Sequence, residues 1–187
     1  MQIIFDNLWQ LRTHVNQGTF IKYYFKPINM LFCYISEIID LKGFGYLFFG
    51  IGAFIWSSIK LGIVWTPIRL IFLPISIISS SVILISMMLI AASATFWVKD
   101  SFSILSLMTS LRDHSRYPIG IYNNVFKFIF TLIIPFGFMA FYPSQFFLKD
   151  KPLDIYAWGT PFVGALLFFI AIKLWNKGVK IWGGTGT

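Results

Sequence analysis

Long apolar runs, broken only where charges cluster, dominate the chain, and the intervals between charges predict its elements. A bilayer-crossing helix takes roughly 20 mostly apolar residues. Four intervals qualify: residues 44–65, 70–98, 125–142 and 155–175. The first carries Lys60 near its end, where a long ammonium side chain reaches the headgroups, and Trp56 and Trp65 suit the same belt. The second is the clearest, with 29 residues from Leu70 to Val98 free of charge, long enough to span with tilt or to continue past the interface. The third admits Lys127 at its start and carries Pro135, Gly137 and Pro143 in and just past its second half. The fourth runs from Ile155 to Trp175.

Residues 1–43 have a different pattern. Arg12, His14, Lys22, Lys26, Glu37, Asp40 and Lys42 interrupt every apolar run before it is long enough to cross, so this segment is expected to lie on the membrane. Within it, Ile28, Leu31, Phe32, Ile35, Ile38 and Ile39 follow the spacing of one helical face and predict an interfacial amphipathic helix. In residues 101–112, Phe102, Leu105, Met108 and Leu111 recur every three residues, either a second such helix or an extension of the second span. The expected architecture is an all-α integral membrane protein, with about four transmembrane helices and the N-terminal interfacial helix. It forms one membrane domain over residues 1–187, without repeats or a soluble domain.

Composition supports this reading. Of the 187 residues, 57% are hydrophobic, 20% aromatic and only 12% charged, far from the balance of a soluble domain. The net charge of +8 sits between apolar runs rather than on one basic face, which argues against nucleic-acid binding. With the N-terminus cytoplasmic, four spans place eleven Lys and Arg residues inside and four (Lys60, Arg69, Lys149, Lys151) outside. That bias predicts that both termini are cytoplasmic, in a multi-pass protein of the inner or plasma membrane of the cell. The sequence opens with an acidic residue by position 6 and no secretory-type apolar core, so no cleaved targeting peptide is expected.

Candidate chemistry is sparse. Cys33 is the single cysteine and reads as a small apolar filler; no His or Cys pair has metal-ligand spacing. No phosphate-binding loop is present, since the C-terminal GGTGT lacks the lysine, so neither catalytic residues nor cofactors are expected. His14 and the adjacent Asp113 and His114 read as loop residues. Ser79, Ser86 and Ser93 recur every seven residues in the second span, with Ser76 and Ser80 nearby. Small hydroxyl residues on one face predict a helix–helix seam, possible hydrogen bonding across it included, or alternatively a polar path. Lys60 and Lys127 read as snorkelling side chains, with a carrier role beside Glu37 as the alternative. Because prolines remove backbone donors where lipid supplies no substitute, Pro135, Gly137 and Pro143 predict a kinked or re-entrant outer end.

Four stretches together resemble one family, the membrane-spanning permease subunits of type-2 ABC exporters in the branch of short stand-alone permeases. They are VNQGTFIKYYFKPINMLF (15–32), RYPIGIY (116–122), IIPFGFMAFYPSQFFL (133–148) and LWNKGVKIWGGTGT (174–187). The resemblance implies one permease half, paired with a second permease subunit as a homo- or heterodimer and with a separate ABC ATPase subunit, all set in the lipid bilayer. It implies an ATPase-coupling segment carrying Arg12, Gly18, Lys22, Lys26 and Pro27. Gly18 would allow the turn, Lys22 and Lys26 would anchor at anionic headgroups and Pro27 would start the interfacial helix. It also implies an outer gate or re-entrant corner at Pro135, Gly137, Tyr142 and Pro143. Family members usually have six spans, so the resemblance further implies that the first two are missing here. A non-transporting membrane scaffold and an ion-coupled carrier are the rival readings.

Overall fold

A computed structural model describes residues 2–38, 41–98, 101–114, 117, 119–148 and 155–182, and every element among them is helical. In chain order these are α1 (Gln2–Asn16), α2 (Met30–Ile35), α3 (Lys42–Lys60), α4 (Pro67–Ser93), α5 (Phe102–His114), α6 (Asn124–Phe128), α7 (Phe141–Leu148) and α8 (Ile155–Trp182). Short 3-10 turns join several of them, and a π-helical stretch, Ile129–Ile133, continues α6.

Local sequence explains most boundaries. α3 ends in a Schellman arrangement: Gly62 adopts a left-handed φ of 60°, and the N–H groups of Gly62 and Ile63 donate to the carbonyls of Ile59 and Ser58 at 3.2 Å each. Four residues on, Thr66 is extended and Pro67 occupies the first helical turn of α4, where its missing N–H costs nothing. Asn29 and Asn123 cap α2 and α6 by accepting from the N–H groups of Phe32 at 3.2 Å and Phe126 at 3.0 Å.

α4 and α8 form the central pair. Phe72 packs near Trp158, the Ser79 carbonyl faces Gly164, and Phe96 lies on Gly178, so the two helices run parallel. The chain between them must therefore return from one end of the pair to the other. Two helices, Pro67–Phe96 and Ile155–Trp182, are long and apolar enough to cross a membrane, and Asn124–Ile133 with Phe136–Leu148, bent by 77°, passes the same test as a pair, the form of a broken span or a re-entrant loop. α5 and this bent pair together lead the chain back to the start of α8.

The expected interval 44–65 becomes α3, which falls outside these on length and composition alone, although it leads from α2 at the Phe96–Trp175 end to the corner at Trp65 beside Phe147 at the other. Its 19 residues end in lysines, and Gly43, Gly45, Gly50, Gly52, two serines and Tyr46 dilute its apolarity. α3 and α6 both expose large apolar side chains on nearly every face, among them Phe48, Phe49, Trp56, Val125 and Phe128.

The N-terminal segment holds more structure than its charge pattern suggested. α1 buries Leu8, Leu11 and Val15 in one cluster with Leu89, Ala92, Phe96, Ala171 and Trp175 of the central pair. α2 spans only six residues and begins at Met30 behind its Asn29 cap, so Pro27 lies in the preceding turn rather than at a helix start. Its inward residues are Cys33 and Tyr34, whereas Ile28 and Phe32 of the expected apolar face point away from the protein at 53% and 66% exposure. That is how an interfacial helix presents to lipid. α5 is a separate helix and not an extension of α4. After the turn at Ala94–Phe96 it doubles back, with Leu105 buried and Met108 and Leu111 packed on the cluster holding Ile83 and Met87.

Candidate functional site

Two regions at opposite ends of the α4–α8 pair gather the candidate residues. At the α1 end, Gly18 takes a left-handed φ of 72°, a conformation without steric cost only for glycine, and opens the turn Thr19–Tyr23. The turn inserts Phe20, which has no exposed surface. Its ring lies 5.7 Å from that of Tyr34, 5.5 Å from Phe96, 5.9 Å from Trp175 and 5.2 Å from Trp182. One side chain thus joins the loop to α2, to the end of α4 and to the end of α8. Edge-to-face aromatic pairs of this kind add about 0.5–1.5 kcal/mol each beyond burial.

Polar contacts fix the same unit. Asn7 is buried and donates through Nδ2 to the carbonyls of Ile35 and Ile38, both at 2.9 Å, while the Tyr34 hydroxyl donates to the Asn7 carbonyl. Tyr24 donates to the Val179 carbonyl at 2.6 Å, tying the loop to α8. Lys22 pairs with Glu37 at 2.6 Å, and the Tyr23 hydroxyl hydrogen-bonds the same carboxylate. Glu37 is therefore engaged locally and is not placed beside Lys60 or Lys127, as a carrier role would require. Lys22 and Lys26 lie over the Tyr23 ring at 4.9 and 5.7 Å. Arg12 sits apart from this loop, over the Phe102 ring of α5 at 5.9 Å. Burial raises the Tyr34 and Tyr24 hydroxyls above their ordinary range. His14, bonded through Nδ1 to the Thr19 hydroxyl at 3.0 Å, is lowered by burial and then by Lys22, with Glu37 opposing.

At the other end the 133–148 stretch is broken at the expected residues. The π-helical stretch closes with Ile134 donating to the Ile129 carbonyl at 2.8 Å. Pro135 (φ −72°, ψ 50°) then forms an inverse γ-turn, Phe136 donating to the Ile134 carbonyl at 2.5 Å. Gly137 is packed so tightly that a Cβ there would stand 2.4 Å from Ile119 Cδ1 and 2.9 Å from the Tyr142 ring. Tyr142 bonds Thr131 at 2.7 Å and stacks on Tyr156 at 5.0 Å. Pro143 lies in the first turn of α7 and is buried. Tyr117 and Ile119–Tyr122 of the second resembling stretch are described, whereas Arg116 and Pro118 lie outside the described residues, as do residues 183–187 of the last. Pro74 and Pro161 are carried inside α4 and α8 near this same end without ending either helix.

Ser79, Ser86 and Ser93 are buried along α4. On α8 the buried positions are Ala157, Thr160, Gly164, Ala171, Trp175 and Gly178, mostly small. A Cβ at Gly164 would lie 3.3 Å from the Ser79 carbonyl oxygen, so glycine lets the backbones approach. The hydroxyls bond within their own helix rather than across the contact: Ser79 to the Ile75 carbonyl and Ser93 to that of Leu89, each at 2.7 Å. This back-bonding to the carbonyl four residues earlier is the local alternative always open to serine in a helix. Among the described residues Ser86 Oγ is buried with no hydrogen-bond partner.

Between α3, α4 and α7 lies an open groove of about 460 Å³, lined among others by Phe54, Leu73, Ser76, Ser80, Pro143 and Phe147. Trp65 stands at its side, 5.9 Å from the Phe54 ring and 6.2 Å from that of Phe147. Phe20, Asn7, Tyr34 and this groove escaped the sequence reading. One aromatic among four in a loop and a single asparagine within α1 carry no periodic signal, and a groove needs three elements at once. Among the described residues no group of His, Cys, Asp and Glu is arranged to hold a metal ion.

Parallel apolar spans, a broken return segment and an aromatic cluster at one end define a multi-pass α-helical membrane protein. Over residues 1–186 the chain matches the family model described as ABC-2 family transporter protein, and it belongs to that family. No curated protein and no solved structure matches the chain. Membership makes it a membrane transport component, a permease of the ABC-2 type.

Proposed function

We propose that this permease is one half of an ATP-driven exporter, whose ATPase subunit docks on the Gly18–Pro27 loop from the cytoplasm. A second permease subunit completes the translocation path. Phe20 is the observation that carries this reading. A loop that only connected two helices would have no need to bury its central aromatic against both central spans, whereas a loop that receives force must be rigidly joined to what it moves. Lys22 and Lys26 remain outside the cluster, near anionic headgroups and an approaching subunit. The positive-inside bias puts this end, and with it both termini, on the cytoplasmic face of the cell membrane. The serines of α4 against the small residues of α8 form the seam on which the two spans bear. Pro135, Gly137, Tyr142 and Pro143 form the outer corner.

Gly18→Val tests the coupling role, because a β-branched side chain resists the left-handed φ. In membranes containing the ATPase and its permease partner, the variant is expected to insert at wild-type level while transport falls about tenfold and ATP hydrolysis no longer responds to substrate. Transport that stays coupled in this variant removes the assignment.

A further inference from the structure

We propose that the outward face of α8 binds an anionic phospholipid, with Lys173, Lys177 and Lys180 holding its phosphate and one acyl chain lying along Phe162, Leu166 and Phe169. The inference does not depend on ATPase coupling and goes beyond it.

Packing against α4 fixes which way α8 faces. Ala157, Gly164, Ala171 and Gly178 recur every seven residues and are all buried, with Trp175 buried beside them. At 3.6 residues per turn the three lysines stand about 140–200° around the helix from Trp175. All three are exposed. Phe162, Leu166 and Phe169, each more than half exposed, continue the same stripe toward the start of α8. One face of the helix is therefore apolar along its first part and basic along its last. Depth agrees with this division. From Ile155 to Lys173 the helix rises about 27 Å, close to the roughly 30 Å of a hydrocarbon core. Lys177 and Lys180 follow about 6 and 10 Å further on, in the headgroup layer.

The protein does not balance the charge of this face. No Asp or Glu follows Asp154 in the sequence. Among the described residues the ion-paired carboxylates, Glu37 and Asp113, are held by Lys22 and Arg112, and none of the three α8 lysines meets a carboxylate. Lys173 Nζ lies instead over the Phe169 ring at 4.4 Å. That ring is one turn back toward the apolar layer, whereas a lysine serving only to reach water would extend the other way. A cation held at the edge of hydrocarbon is unfavourable alone and is relieved by an anion at the same depth, which is where a phospholipid carries its phosphate. Three cations without an acid favour a lipid of net negative charge over a zwitterionic one, whose own ammonium would face the same lysines. A lipid meets both halves of the stripe, while an acidic soluble surface would reach only the basic half.

Native mass spectrometry of the purified full chain provides the test, with phosphatidylglycerol and phosphatidylcholine of identical acyl chains as probes. Phosphatidylglycerol is expected to be retained at least about tenfold over phosphatidylcholine, since each lysine near a membrane surface contributes about fivefold. Lys173→Gln combined with Lys177→Gln is expected to remove most of that preference. Lys60→Gln combined with Lys127→Gln deletes the same charge elsewhere and is expected to preserve it. Equal retention of the two lipids by the wild-type chain overturns the proposal, and so does an equal loss in both double variants, which would assign the preference to net charge. A readout that needs no variant is photolabelling of the wild-type chain by phosphatidylglycerol carrying a mid-chain diazirine. Label on the α8 peptide that holds Phe162 and Phe169 supports the site, and label absent from α8 overturns it. Loss of ATPase binding in the Lys173 and Lys177 double variant, without any lipid preference in the wild-type chain, would assign this face to a protein partner and overturn it as well.

Discussion

The two ends of the α4–α8 pair are built on opposite principles. At the α1 end, Phe20, Tyr34, Phe96 and Trp175 are all buried, and Asn7 and Tyr34 link α1 to α2. At the α7 end, Phe72, Phe146 and Ala157 are buried in a smaller cluster, but beside it the return segment bends by 77° and a groove stays open. The first end is closed by large rings that fill space from several elements at once. The second is shaped by missing donors and missing side chains, prolines and a glycine, which leave the backbone free to turn. The contrast suits a machine in which one end receives force as a solid unit and the other rearranges.

Four measurements break or sharpen that contrast. The largest effect is expected from Trp175→Ala, which empties the centre of the closed end, where Trp175 is 1% exposed. A loss of about 3–5 kcal/mol in stability follows from such a truncation, read as the unfolding free energy of the purified chain in mixed micelles. A loss below 1 kcal/mol would mean that the cluster is not a packed core.

Glycines provide the next comparison. Gly137→Ala forces a methyl group to within 2.4 Å of Ile119 and 2.9 Å of Tyr142, whereas nothing lies within 4 Å of a Cβ at Gly50. Overpacking at Gly137 is expected to cost about 1–3 kcal/mol. Gly50→Ala should be neutral or slightly stabilising through helix propensity. Equal effects of the two substitutions would remove the claim that the bend is held by close packing.

Asn7→Ala deletes the two hydrogen bonds that a buried amide makes to the carbonyls of Ile35 and Ile38, at and just past the end of α2, and should cost about 1–3 kcal/mol. Faster proteolysis between Gly18 and Ser36, with the spans still protected, is the corresponding readout. Protection unchanged from wild type would assign the holding of α2 to Tyr34 and the rings alone.

The smallest effect is a pH dependence at His14. Its folded pKa lies below the ordinary 6.5 because burial and Lys22 disfavour the charged ring, against the opposing pull of Glu37. The unfolded segment therefore binds a proton first as the pH falls. The contribution is complete above about 6.5 and is lost below it, so protection of the loop should weaken on acidification. His14→Gln should flatten that dependence, and an unchanged pH profile would exclude His14 as its source.

Much of this protein was legible from one dimension. The charge-free interval of α4 and the apolar run of α8 specify spans because a bilayer admits only segments whose backbone bonds close internally, a requirement set by length and composition. Pro135 with Gly137 marks the bend, whereas Gly62 and Pro67, which form the α3–α4 corner by local stereochemistry, were not read as a break, since the expected span 44–65 ran through Gly62. Pro74 and Pro161 show the limit of that logic. The same residue type is carried inside unbroken helices, since a proline breaks a helix only when its surroundings offer the freed carbonyl and the new chain direction a place. Ser79, Ser86 and Ser93 were visible as a stripe, yet the pattern did not reveal that the Ser79 and Ser93 hydroxyls turn back on their own helix while that of Ser86 has no partner among the described residues.

What the sequence determined alone is the class: helical, embedded in lipid, basic at one end and broken once on the return. Tertiary structure decided the rest. Phe20 and Asn7 matter because residues far apart in the chain converge on them, and α3 keeps most of its apolar surface exposed because little else packs on it. Periodicity records which face of a helix avoids water, but in lipid every face does so. The choice of which apolar surfaces meet, and which stay open, is left to the packing of small against large residues between helices.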